Sequence, residues 1–165
     1  MNKFEEWKNL AVTNTGNVAI QPETKKEVKS TKPVKDKLGR SYATGKRKSS
    51  IARIWVKQGK GSVLVNSLPI KQYFCTERNV QVAIEPLKMF DLLDKFDMNC
   101  TVQGGGLSSQ AGSIKNGIAK AIALFNPDLR PLLRNNGFLT RDSRVVERKK
   151  YGQHKARKKT QFSKR

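Results

Sequence analysis

The sequence predicts an α+β fold, a small mixed sheet with helices packed on one face, between a flexible N-terminal extension and an extended basic C-terminal tail. Segments of strand-like alternation are mixed with segments of helical periodicity, without a regular βαβ repeat. Only 36% of the 165 residues are apolar and 7% aromatic, which predicts one modest core with unpacked segments. We therefore expect an extension at residues 1–40, a core at 41–140 and a tail at 141–165.

Two neighbouring strands are predicted at the start of the core. Apolar and charged residues alternate over residues 51–57, which predicts a strand with one buried face. Trp55 lies on the opposite face with Arg53 and Lys57. A glycine-rich turn then leads to the apolar residues 63–65, so these two strands are predicted to form a hairpin.

Helical spacing follows the predicted hairpin. Thr76 is a candidate cap for a helix that Pro86 is expected to interrupt, with a second short segment continuing through Leu93. Beyond it, residues 98–102 alternate as another half-buried strand. Both cysteines are then predicted to be small core residues, at positions 75 and 100.

The clearest helix follows three glycines. Ser108 and Ser109 are candidate caps, and apolar residues repeat at helical spacing from Ala111 to Phe125, where Asn and Pro end the run. The leucines between residues 129 and 133 predict a further short helix, ended by Asn, Asn and Gly.

The net charge of +21 is concentrated at the C-terminus. The last 25 residues contain 11 basic and 2 acidic side chains and no sustained apolar pattern, so the tail is expected to stay extended until a polyanion neutralises it. An isolated basic cluster is usually a solvated surface. The basic excess of the whole chain, with a pI near 10.3, instead favours a nucleic-acid binder.

Other classes of function have little support in the sequence. Two cysteines and no secretory signal argue against a disulfide scaffold, and no apolar run is long enough for a membrane span. The only histidine, His154, lies in the basic tail, so we expect no catalytic residue, cofactor or small-molecule substrate. Asp91, Asp94 and Asp97 recur every third residue, but are expected to pair with nearby lysines rather than hold a metal.

Basic side chains beside hydroxyls and glycines suit contact with a sugar–phosphate backbone. The candidate nucleic-acid contacts are Lys46, Arg47, Lys48, Arg53, Gly104, Gly105, Gly106, Arg141, Arg144, Arg148, Lys149, Lys150, Lys155, Arg157, Lys158 and Lys159. The three glycines lack both the P-loop and the dinucleotide spacing, and a tight strand-to-helix connection explains them equally well. Tyr151 and Phe162 interrupt the basic tail and suit either stacking on unpaired bases or packing against folded nucleic acid.

Several motifs together resemble the small-subunit ribosomal protein nine family in its bacterial-type form. They are residues 42–53, Gly104–Gly106 with residues 110–112, residues 139–144, residues 146–152 and the closing residues 155–165. The resemblance runs from about residue 40 to the last residue. Ser109 stands where the family usually has Gly, and Asn116 where it often has His.

The resemblance implies a domain docked on small-subunit ribosomal RNA in the head of the subunit, beside neighbouring head proteins. The candidate contacts named above would then bind ribosomal RNA, while Ser163, Lys164 and Arg165 would contact the anticodon stem-loop of peptidyl-site transfer RNA. The expected location is the cytoplasm, in a bacterial-type ribosome, with a mitochondrial ribosome as the alternative.

Two other functions account for part of the sequence. A free nucleic-acid chaperone or nucleoid protein also explains the charge, and it predicts promiscuous binding without incorporation into ribosomal subunits. A nucleotide-handling enzyme would use Gly104–Gly106, although the nucleotide-binding motif is missing there.

Overall fold

The predicted α+β class is confirmed by the computed structural model, which describes residue 33 and residues 35–163. The strands are β1 (Ser41–Arg47), β2 (Ser50–Gln58), β3 (Val63–Val65), β4 (Leu68–Pro69) and β5 (Phe96–Gln103). The helices in the described residues are α1 (Ile70–Tyr73), α2 (Glu77–Met89), α3 (Leu107–Phe125) and α4 (Arg130–Asn135), with single 3₁₀ turns at Leu93–Lys95 and Pro127–Leu129. Among them, no helix has both the length and the apolar content to span a bilayer.

The sheet has the order β1–β2–β5–β3–β4, and only the pairing of β3 with β5 is parallel. The predicted hairpin between residues 51–57 and 63–65 is therefore wrong. Strand β2 forms its hairpin with β1, which the sequence analysis treated only as a cluster of cations. The buried face of β1 consists of Ser41, Ala43 and Gly45, so this strand has no hydrophobic alternation to reveal it.

Helix α2 begins after Thr76 as predicted but runs unbroken through Pro86, so the predicted interruption is wrong. Proline removes one helical hydrogen bond. Its ring is buried beside Ala83 and Leu87, where α2 packs on α3, and this burial offsets the loss.

The two cysteines differ in their surroundings. Cys100 is buried in β5 as predicted, and burial raises the pKa of its thiol to about 12. Cys75 is exposed between α1 and α2, so the prediction that it is a core residue is wrong. Cys75 lies in the short link between α1 and α2. In this link the buried side chain is that of the neighbouring Phe74.

Helix α3 ends at Phe125, and the leucine-rich segment forms α4, both as predicted. The helix begins two or three residues earlier than the predicted serine caps, since Gly106 is its N-cap. The Ser109 hydroxyl donates to the Gly106 carbonyl at 2.8 Å and accepts from the Gly106 N–H at 3.1 Å.

Three small residues spaced by four along α3 face the β1–β2 hairpin. At one end the Ser41 hydroxyl donates to the Ala121 carbonyl at 2.9 Å, and at the other the hydroxyls of Ser50 and Ser113 lie 3.0 Å apart. Between them the backbones of Gly45 and Gly117 meet. A Cβ on Gly45 would lie 2.4 Å from the Gly117 nitrogen and 2.0 Å from the Ser113 carbonyl oxygen.

The core lies between the sheet and helices α2 and α3. The alternating residues of β2 and β5 are buried on this face, and the opposite face of the sheet carries no helix among the described residues. The largest fully buried side chains include Ile54, Leu87, Ile114, Ile118 and Ile122. Burying such side chains stabilises the fold by about 1.5–3 kcal/mol each.

The chain leaves the core at residues 138–144, which we name the tail root. Phe138 is buried, and the Asn116 amide of α3 donates to the Phe138 carbonyl at 3.0 Å and to the Thr140 carbonyl at 3.4 Å. The Arg47 guanidinium then donates to the Arg144 carbonyl at 2.6 Å.

Asp142 joins both arginines at the tail root. Its carboxylate lies 2.9 Å from Arg47 and 2.7 Å from Arg144, and it also accepts the Arg144 backbone N–H at 2.9 Å. These hydrogen bonds from Arg144, with the charge of Arg47, hold the pKa of Asp142 well below its usual range. The first residues of the tail are thereby tied to β1.

We predict that Gly45→Ala destabilises the fold by about 3 kcal/mol or more, because the new methyl would overlap the backbone of α3. Denaturant unfolding of the full chain measures this loss. Gly112→Ala on α3 is the matched control, since its Cβ meets only the Arg47 side chain, at 3.2 Å, and we expect a change within about 1 kcal/mol. Equal stability of the two variants would contradict the proposed close approach.

We predict that Asp142→Ala loosens the tail root while leaving the unfolding midpoint of the core unchanged, because the ion pairs that it breaks are partly exposed. Amide hydrogen exchange at Arg144 should become about fivefold faster or more, whereas Asp94→Ala should leave it unaltered. Since the pKa of Asp142 is lowered in the folded protein, this tie is complete above the ordinary aspartate value of about 3.9 and is lost only in stronger acid. Unchanged exchange in Asp142→Ala would show that the carboxylate does not hold the tail.

Candidate nucleic-acid interface

The four cations predicted at the first strand do not form one cluster. Lys48 occupies the β1–β2 turn with a positive φ of 51°, and its side chain is exposed. Arg47 is turned toward the tail root. Lys46 and Arg53 lie on the face of the sheet that carries no helix. We name the β1–β2 turn, Lys48 and Ser49, the hairpin tip. The structure thus divides these candidates between the hairpin tip, the tail root and the face of the sheet without helices.

The three glycines Gly104–Gly106, which we name the glycine loop, pack directly against the hairpin tip. Gly104 and Gly105 have φ values of 73° and 65°, which favour glycine, and a Cβ on Gly104 would lie 2.6 Å from the Ser49 carbonyl oxygen. The predicted tight connection from strand to helix is therefore present. Gly106 is different, because its φ is ordinary and nothing lies within 4 Å of an added Cβ.

Hairpin tip, glycine loop and tail together surround a surface depression of about 690 Å³, which we name the hairpin–glycine hollow. Its lining consists of Lys48 and Ser49, the segment Gly105–Ser109, and Val145 and Val146 of the tail. The first backbone N–H groups of α3 open at this place, and such helix N-termini favour anions. The structure therefore brings together two predicted groups that are far apart in sequence.

The next part of the tail folds back on itself. The Arg157 guanidinium makes a bidentate ion pair with Glu147, in which Nε lies 2.8 Å from Oε2. The backbone N–H of His154 donates to the backbone carbonyl of Lys158 at 3.1 Å. These bonds from Arg157 lower the pKa of Glu147. Residues 141–163 contain no helix or strand, as predicted, but the segment from 147 to 158 is a loop rather than a fully extended chain.

The candidate cations differ in how far they are neutralised. Arg47, Arg144 and Arg157 pair with acids of the chain. The other candidate cations form no ion pair with an acid within residues 35–163. Their charges are available to a partner, and the positions are Lys46, Lys48, Arg53, Arg141, Arg148, Lys149, Lys150, Lys155, Lys158 and Lys159.

The aromatic residues of the tail are almost fully exposed, Tyr151 at 94% and Phe162 at 87%. Ser163 is exposed as well. Lys164 and Arg165 lie outside the described residues, so the predicted transfer RNA contact is only partly within the structure.

Asp97 has a structural partner that the sequence analysis did not identify. Its carboxylate accepts backbone N–H groups of Ser62 at 3.0 Å and Lys60 at 2.9 Å, and these bonds, led by that from Ser62, lower its pKa. The expected pairing of the three aspartates with Lys88 and Lys95 is absent from the ion pairs of the described residues. Within the same residues no group of three potential metal ligands comes together.

Two positioning residues, Asn116 and Asp142, were missed by the sequence analysis. Each acts across a long separation in the chain, Asn116 on carbonyls 22 and 24 residues away and Asp142 on Arg47. The sequence offered only weak signals for them. Asn116 is a polar residue on the apolar side of helix α3, and Asp142 is an acid between two arginines of the tail.

The chain is similar to ribosomal proteins over most of its length. A sequence model of the family described as ribosomal protein S9/S16 matches residues 45–165. The small ribosomal subunit protein uS9 of Rickettsia bellii (strain OSU 85-389) is 57% identical over 141 residues, covering 86% of each chain. Its counterpart in Rickettsia canadensis (strain McKiel) is 52% identical over 147 residues, covering 89% of this chain and 91% of the relative. The resemblance seen in the motifs is confirmed, and the chain belongs to the ribosomal protein S9/S16 family.

Proposed function

We propose that this protein is a structural constituent of a bacterial-type small ribosomal subunit that binds ribosomal RNA through the hairpin–glycine hollow and the tail, and peptidyl-site transfer RNA through its last residues. Family membership makes it a ribosomal protein and not an enzyme, as the sequence predicted. The observation that carries the RNA proposal is the convergence of the hairpin tip, the glycine loop and the tail at one end of α3.

The chemistry of this surface suits phosphate rather than base edges. Lys48 offers an ammonium and Ser49 a hydroxyl, and both donate to anionic oxygen. At the start of α3 the N–H groups of Gly106 and Ser109 are bonded within the first turn, so Leu107 and Ser108 are the residues whose backbone N–H groups we expect to meet a phosphate. Gly106 has open space where a side chain would stand, so a backbone phosphate can approach closely.

The tail extends this contact. The tail root sets its starting direction, and the tail loop at residues 147–158 exposes Arg148, Lys149, Lys150 and Lys155. Such a density of positive charge repels itself and attracts a polyanion. Beyond it, Ser163, Lys164 and Arg165 are assigned to the anticodon stem-loop of peptidyl-site transfer RNA.

Similarity to the Rickettsia proteins favours a bacterial cytoplasm over the mitochondrial alternative. Neighbouring proteins of the subunit head are the expected protein partners. The free chaperone remains the competing function, because it needs the same charge but no fixed RNA site. The nucleotide-handling enzyme has no support from the family to which the chain belongs.

We predict that the full chain sediments with small subunits through a high-salt wash, whereas a free chaperone would be washed off.

Changing Arg148, Lys149 and Lys150 to Gln should make the salt dependence of binding to small-subunit ribosomal RNA shallower by about two in the log–log slope, because three phosphate contacts are lost.

The matched control changes Lys71, Lys88 and Lys95 to Gln, since these exposed lysines lie away from the hollow and remove the same charge. We expect this control to keep most of the original slope. Equal slopes for the two triple variants would show that binding follows overall charge alone, as expected of a chaperone.

We predict that deleting Ser163–Arg165 leaves assembly into small subunits intact but speeds the dissociation of peptidyl-site transfer RNA from isolated subunits. The effect should be mild, about two- to fivefold, because each exposed phosphate contact contributes little in salt. As a control, changing Lys71 and Lys88 to Gln removes two positive charges away from the tail and should leave the dissociation rate unchanged. An unchanged dissociation rate after the deletion would refute the transfer RNA role.

A further inference from the structure

The face of the sheet opposite the helices, which we name the open sheet face, carries a cross-strand row of large side chains. Tyr42 of β1 pairs with Trp55 of β2, Trp55 with Asn99 of β5, and Asn99 with Leu64 of β3. Paired residues on neighbouring strands point to the same side of a sheet, so these four side chains stand side by side. No helix of the described residues covers these four side chains.

Two aromatic rings form the end of this row on strands β1 and β2. The ring centroids of Tyr42 and Trp55 are 5.2 Å apart and the ring planes are tilted by 43°. Tyr42 is 41% exposed and Trp55 is half-buried, so both rings offer area to a partner. Aromatic side chains on an exposed sheet face are costly to leave in water, and such a patch commonly marks an interaction surface.

The surroundings of the two rings are basic and polar. Lys46, Arg53 and Lys57 are exposed on the same face, and its one acid, Asp97, is already occupied by backbone N–H groups of the β2–β3 turn. Hydroxyl and amide side chains from β5, Thr101 and Gln103, complete the surface beside Arg53.

A cleft of about 300 Å³ opens next to Trp55 on the open sheet face. Its lining also includes Leu64, Asn99, Arg40, Lys57 and the carboxylate of Asp97. Arg40 pairs with Asp36 at 3.8 Å, whereas Lys57 forms no ion pair with an acid among residues 35–163. The cleft thus combines an indole, an amide and an available cation. This combination suits a flat heterocycle attached to an anionic backbone.

We propose that the open sheet face binds unpaired ribosomal RNA, with a base stacked on Trp55 and Tyr42 and the adjoining phosphates held by Arg53 and Lys57. This proposal rests on the proposed function and adds to it a second RNA site, separate from the hairpin–glycine hollow. The three cations outnumber the one acid on this face, so its net charge is positive, which favours RNA over a protein partner. The two rings favour unpaired bases, since duplex RNA hides its base faces.

Tryptophan fluorescence tests the stacking directly. The chain has two tryptophans, so the full-length Trp7→Phe variant leaves Trp55 as the sole indole. Titration with a single-stranded uridine-rich RNA should quench this fluorescence in step with binding, which a dye on the RNA reports independently. A duplex RNA with the same number of phosphates should bind through the tail but quench little.

Substitutions at Trp55 separate stacking from charge. Trp55→Leu should weaken binding to single-stranded RNA about fivefold or more with an unchanged salt slope, and Trp55→Phe should retain most of the affinity. Lys57→Gln should instead make the salt slope shallower by about one contact. Leu68→Ala is the control, because this exposed residue pairs with Val65 and so lies on the other side of the sheet.

The outcomes distinguish this proposal from the proposed function. RNA that binds without quenching Trp55, and with equal affinity for Trp55→Leu, overturns the platform and leaves the hollow and tail in place. A photochemical cross-link from Trp55 to a protein in assembled subunits would identify a protein neighbour and likewise overturn it. Failure of the full chain to bind any RNA would refute the proposed function itself. If Trp55→Leu does not fold, quenching of Trp55 in the Trp7→Phe variant by single-stranded but not by duplex RNA still decides the matter.

Discussion

The close approach of Gly45 in β1 to Gly117 in α3 is the constraint on which the arrangement of the molecule depends. Backbones can meet at this distance only where neither residue has a Cβ, and hydroxyl hydrogen bonds at Ser41 and Ser50 fix the contact at both ends. With α3 pressed onto the β1–β2 hairpin, its N-terminus comes to the hairpin tip. The same contact places Asn116 and Arg47 where the chain leaves the core.

This packing gives the protein two faces with different surface chemistry. Around the start of α3, backbone N–H groups, glycines and cations form a surface suited to phosphates, and the tail continues it. Across the sheet, aromatic rings with cations beside them form a surface suited to flat bases. The acids near these surfaces hold local structure. Asp142 and Glu147 are neutralised by arginines, whereas Asp97 accepts backbone N–H groups and keeps its charge.

Sequence analysis succeeded where a single periodicity dominates and failed where distant residues decide. Strand β5 and helix α3 were predicted because their apolar residues recur with clear periods. Strand β1 was missed because small residues form its buried face, and β3 received the wrong partner because its parallel neighbour comes some thirty residues later in the chain. The basic groups were recognised from composition, but their meeting at one hollow depends on the fold, and the tie between Arg47 and Asp142 spans most of the core.

Strand β5 lies in the middle of the sheet, yet it is the last strand along residues 35–163. During synthesis from the N-terminus, the β1–β2 and β3–β4 hairpins leave the ribosome before the strand that joins them, and each exposes an unpaired edge. Helix α3, which covers both β1 and β2, emerges later still. The core of a nascent chain can therefore close only once α3, which ends at Phe125, has left the ribosome, and until then the net positive charge of the chain disfavours edge-to-edge pairing between copies.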